Sequence, residues 1–97
     1  SNGPIELAAE SGLYCRVYTE GLFGIRPTGF HSFMVAPQLP AEWGSMALRN
    51  IRAFGEGSFD IEVKRLQGRK IAVAIIIKGK PIQYFTIAEG KSVEISL

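Results

Sequence analysis

The sequence predicts a mainly β protein: an antiparallel, jelly-roll-like β-sandwich of about six to eight strands, preceded by one N-terminal helix. Three observations carry this. Downstream of Gly24, short apolar runs are separated by turn residues roughly every ten positions. Phe59, Ile61 and Val63 alternate with Asp60, Glu62 and Lys64, the period-two pattern of a half-buried strand. Upstream of Gly24, apolar residues recur instead at i+4, a helical spacing.

In that first stretch Leu13, Val17 and Gly21 stack on one helical face, as do Tyr14, Tyr18 and Leu22. The alternation Leu13, Cys15, Val17, Thr19 fits a strand as well, and pattern alone leaves both open. Ser11 or Glu10 suits a helix start, and Gly21 or Gly24 its end. Residues 30–36 then read as a short apolar strand stopped by Pro37. Pro37-Gln38-Leu39-Pro40 is an extended connection, because each proline fixes φ and lacks a donor. Residues 44–54 form the next strand, with Met46 and Leu48 on one face but Ile51 and Ala53 on the opposite parity. A bulge near Arg49-Asn50 restores the core phase at the cost of one unpaired residue.

Gly55-Glu56-Gly57, Gln67-Gly68-Arg69, Lys78-Gly79-Lys80 and Ala88-Glu89-Gly90 are the turns around the Phe59 strand and strands 70–78, 81–87 and 91–97. Strand 70–78 is apolar on both faces: Ile71, Val73, Ile75 and Ile77 on one, Ala72, Ala74 and Ile76 on the other. Strands of that kind are covered on both sides. A sandwich of this size covers only one, so Ala72, Ala74 and Ile76 are expected to pack against another domain.

Composition narrows the function classes. The 97 residues, 46% hydrophobic and 21% charged, suit one globular domain. The longest apolar run, Ile71 to Ile77, falls short of the ~20 residues that span a bilayer, so no membrane partner is expected. Residues 1–48 carry two Arg and four Glu, and residues 49–97 carry nine bases and five acids. That asymmetry is too mild for a nucleic-acid footprint. Cys15, the single thiol, cannot form an internal disulfide and leaves the compartment open. No basic segment leads into an apolar one at the start, so no signal peptide is expected. Ser1-Asn2-Gly3 has the look of a tag-cleavage remnant.

No reactive constellation stands out. With one His (His31) and one Cys (Cys15), no Cys/His metal cluster can be built, and neither a metal nor another cofactor is expected. Asp60 and Glu62 share a strand face, whereas glycosidases set two carboxyls roughly 5–10 Å apart across a sugar-sized cleft. A solvated polar face accounts for the pair. Gly55-Glu56-Gly57 is not followed by a helical pattern, so it is a turn and no phosphate cradle. Lys64, Arg65, Arg69 and Lys70 gather at one hairpin end as a charged tip. Among the aromatics, Phe30, Phe33, Phe54, Phe59, Tyr84 and Phe85 lie within strand patterns and read as core. Trp43, in a loop after Pro40-Ala41-Glu42, is the one candidate platform for stacking on a carbohydrate.

The segment Ser11-Gly12-Leu13-Tyr14-Cys15-Arg16-Val17-Tyr18-Thr19-Glu20-Gly21-Leu22-Phe23-Gly24-Ile25-Arg26-Pro27-Thr28 resembles the junction of six-hairpin glycosidases. There the last helix of an (α/α) barrel runs through a "GILGIRPT"-like stretch into a C-terminal β-sandwich. Phe33-Met34-Val35-Ala36-Pro37-Gln38-Leu39-Pro40-Ala41-Glu42-Trp43 is similar to the family's strand followed by "P-x-x-P-x-x-W". Ile77-Lys78-Gly79-Lys80-Pro81-Ile82 is similar to its "V-N-G-K-P-V" hairpin. Disaccharide phosphorylases of the cellobiose type and α-L-rhamnosidases both carry versions of these motifs. Gly29-Phe30-His31-Ser32 departs from the phosphorylase-like "Y-D-G-L" and leaves the subfamily open.

The resemblance implies a domain plan: residues 4–23 as the terminal helix of an (α/α) barrel, with residues 11–22 helical, and residues 24–97 as the C-terminal sandwich. It makes Gly24, Ile25, Arg26, Pro27, Thr28, Pro37, Pro40 and Trp43 the family-motif positions. It also supplies a partner for Ala72, Ala74 and Ile76, namely the barrel of a parent chain. The family's acid and base lie on barrel loops, so no catalytic residue transfers to this sequence. The expectation is a non-catalytic accessory domain, and its alternative is a stand-alone carbohydrate-binding module.

Overall fold

The computed structural model describes residues 5–8, 17–52 and 57–97. It contains β1 (Ile5–Ala8), a single π-helical turn (Val17–Leu22), β2 (Arg26–Pro27), β3 (Ser32–Val35), β4 (Ser45–Ile51), β5 (Phe59–Leu66), β6 (Lys70–Ile77), β7 (Lys80–Ala88) and β8 (Val93–Ser96). Five strands form one sheet in the order β1-β4-β5-β6-β7, and three form a second in the order β2-β3-β8. The two sheets enclose one apolar core, so the protein is mainly β and sandwich-like.

Strand alternation sets what goes inside. Phe59, Ile61 and Val63 of β5 point into the core with Met46 and Leu48 of β4 and Ile71, Val73 and Ile75 of β6. The second sheet answers with Phe33, Val35 and Ile95. Phe33 and Phe59 join the sheets directly, their rings stacked with centroids 5.3 Å apart. Two-residue and three-residue turns link the long strands. At the β6–β7 turn both Lys78 (φ 50°) and Gly79 (φ 75°) are left-handed, the backbone of a type I′ hairpin.

The bulge in β4 falls where the parity of the apolar residues requires it. Leu48 faces Ile61 and Ile51 faces Phe59, so Arg49 and Asn50 together oppose Asp60 alone. Ile51 is thereby returned to the core. Asn50 takes φ 61°, a conformation that Asn tolerates better than most residues. A second shift, in β7, leaves Ile82 without a partner, since Ile75 faces Gln83 and Ile76 faces Pro81.

Four expectations need correction. Residues 4–23 are not one helix, because Ile5–Ala8 is a strand in parallel register with Met46 to Arg49 of β4. The described part of the expected helix is the turn Val17–Leu22 alone. Gly24, at φ 58°, ends that turn, and the Ile25 N–H returns to the Thr19 carbonyl at 2.7 Å. The sheet is mixed rather than wholly antiparallel, owing to β1. The connectivity is not a jelly roll's pair of Greek keys, for β4 to β7 follow one another as a meander. Finally, Phe30 is not core. Thr28 and Gly29 N–H groups donate to the Ser32 carbonyl, which turns residues 28–31 into a hairpin tip and leaves Phe30 94% exposed. Leu13, Tyr14, Cys15, Ala53, Phe54, Gly55 and Glu56, the side chains of Val17 and Tyr18, and Ser1-Asn2-Gly3 lie outside the described residues.

Candidate interaction surface

The outer face of the five-stranded sheet is a broad surface whose composition the core does not dictate. Because Phe59, Ile61 and Val63 point inward, β5 turns Asp60, Glu62 and Lys64 outward. By the same parity β6 presents Ala72, Ala74 and Ile76. Register then aligns Ser45, Lys64, Ala72 and Thr86 in one row across the sheet, and Ala47, Glu62, Ala74 and Tyr84 in the next. The face divides into a charged half over β1, β4 and β5 and an apolar half over β6 and β7.

Arg49 organises the charged half. Its guanidinium lies 2.9 Å from Glu62, 3.2 Å from Asp60 and 3.3 Å from Glu6. Burial disfavours the charged guanidinium, but hydrogen bonds to Glu62, Glu6 and Asp60 and the Glu62 charge outweigh it, so its pKa stands above the ordinary arginine value. Asp60 also accepts the Asn50 N–H at 2.9 Å. A shallow groove of about 330 Å³ runs beside this cluster, lined by Ser45, Ala47, Glu62 and Lys64. Asp60 and Glu62 thus converge on one cation and do not face each other across a cleft.

The apolar half holds the three residues expected to pack on another domain. Ala72 is 5% exposed and Ile76 9%, while Ala74 is half-buried. Neither Ala72 nor Ile76 belongs to the core cluster. They are small or flanked residues between longer neighbours, with Lys64 and Asp60 across β5. Beside them on β7, Ile82 is 48% and Tyr84 64% exposed. Tyr84 was expected in the core; its even parity, opposite Ala74, turns it outward.

The family-like motif residues lie elsewhere, at one end of the sandwich. Gly24 sits against Ala36, where a Cβ would stand 2.8 Å from the Ala36 Cβ and collide with its carbonyl oxygen. The Ala36 N–H donates to Phe23 and the Gln38 N–H to Leu22, so this close approach is continuous. Ile25 packs on the core, whereas Arg26 and Pro27 are exposed and Thr28 Oγ1 donates to Ser32 Oγ at 3.0 Å. Pro37 is buried.

Pro40 and Trp43 belong to a loop clamped by one side chain. Arg65 donates to the carbonyls of Pro40 (2.8 Å), Leu39 (3.2 Å) and Trp43 (3.4 Å) and pairs with Glu89 at 2.8 Å. Its own N–H donates to Gly44 at 2.9 Å. Arg65 therefore does not join Lys64, Arg69 and Lys70, which are exposed, in a common basic tip. Trp43 is partly buried and packs on the core.

Sequence reasoning missed Arg49 and Arg65 as organising residues and Ile82 and Tyr84 as exposed ones. The outward parity of Tyr84 was legible, since it sits an odd number of positions from Phe85. Among the described residues no group of three His, Cys, Asp or Glu side chains could hold a metal ion. No helix among them is long and apolar enough to cross a membrane. A scan against family models, and searches of curated proteins and of solved structures, find no match to this chain.

Proposed function

We propose that this chain is a non-catalytic accessory β-sandwich domain of a carbohydrate-active enzyme of the six-hairpin type, packing on and stabilising its (α/α) barrel. The observation that carries the reading is the apolar half of the outer face. There Ile82 and Tyr84 are exposed beside the partly exposed Ala74, while Ala72 and Ile76 are already largely covered within the chain, so the apolar surface open to a covering helix or loop lies mainly on β7. The motif-like segment around Gly24 supports the same family, because its glycine is required by the contact with Ala36. Trp43 lends less support to a stand-alone carbohydrate-binding module, since much of it is committed to the core and its loop is held by Arg65.

The test is an NMR titration of the isotopically labelled chain with the catalytic barrel of a six-hairpin enzyme lacking its own C-terminal domain. The amides of Ala72, Ala74 and Ile76 should shift on addition of the barrel. A response of the Trp43 loop to an added oligosaccharide, with none on β6 to the barrel, overturns the reading in favour of the binding module.

A further inference from the structure

We draw no further inference here: the strongest candidate, the apolar surface that the exposed Phe30 makes at the hairpin tip between β2 and β3, carries nothing because among the described residues no feature shows what covers it.

Discussion

Asp60 Oδ1 accepts the backbone N–H of Asn50 at 2.9 Å, so a side chain of β5 takes up a donor that the bulge in β4 withdraws from the strand ladder. The same carboxylate reaches Arg49 through its other oxygen at 3.2 Å. One residue thereby satisfies the irregular backbone and anchors the ion-paired half of the outer face.

Replacing Asp60 by Ala should cost about 0.5–1.5 kcal/mol, because it removes the acceptor of the exposed Asn50 N–H, which water then takes up, and one Arg49 partner. Asp60→Asn keeps an acceptor for Asn50 and should lose less. Glu62→Ala, at a more exposed pair, should cost roughly 0–1 kcal/mol. Urea denaturation of the three variants gives the ranking.

Arg49→Met should destabilise by no more than about 1 kcal/mol, given its partial exposure. The folded-state pKa of Arg49 is raised, so its contribution is complete below the ordinary arginine value and is lost only as pH rises through the raised one. The stability difference between wild type and Arg49→Met should therefore stay flat from roughly pH 7 to 10. A difference that shrinks across that window contradicts the assignment.

Gly24→Ala should be far more damaging than Gly79→Ala. Both glycines have positive φ, but only at Gly24 does an added Cβ meet backbone, that of Ala36. Gly79→Ala should cost about 1 kcal/mol from strain alone, and Gly24→Ala more than about 2 kcal/mol. Melting temperatures of the two variants decide it.

Arg65→Lys should loosen the Trp43 loop despite keeping the charge, since an ammonium cannot reach three carbonyls and Glu89 as the planar guanidinium does. Trp43 is the single tryptophan, so its emission should shift to the red and be more readily quenched. Phe59→Ala, which empties the inter-sheet contact with Phe33, should cost about 3–5 kcal/mol by calorimetry.

The β-rich half of the molecule was legible because its information is local. Strict alternation in β5, paired turn residues and the parity break at Ile51 each lie within a few positions, and each is present in the structure. The failures are non-local. Ile5–Ala8 is a strand because a sheet edge 41 residues further on accepts it, from Ile5 to Met46 in register. Phe30 is exposed because Ser32 draws Thr28 and Gly29 into a tip, which depends on where the strand begins. The Arg65 clamp joins residues 39–44, 65 and 89, and no window of sequence displays that convergence. The outward strip of Ala72, Ala74 and Ile76 could be foreseen from β6 alone, whereas its border of Ile82 and Tyr84 required the register of β7.

The parallel seam between β1 and β4 bears on the order of assembly. β4, β5, β6 and β7 are joined by short connections, and β5, β6 and β7 by turns of two or three residues, so their pairing closes small loops at small entropic cost. β1 meets β4 only after nearly forty intervening residues, including β2 and β3, have found their places. By this measure the meander would form first, and the two long-range pairings, β1 with β4 and β3 with β8, would follow it. Under load applied at the N-terminus, or during transient opening, Ile5–Ala8 would peel away while the β4–β7 hairpins hold, and amide exchange in β1 would outpace that in β5 and β6.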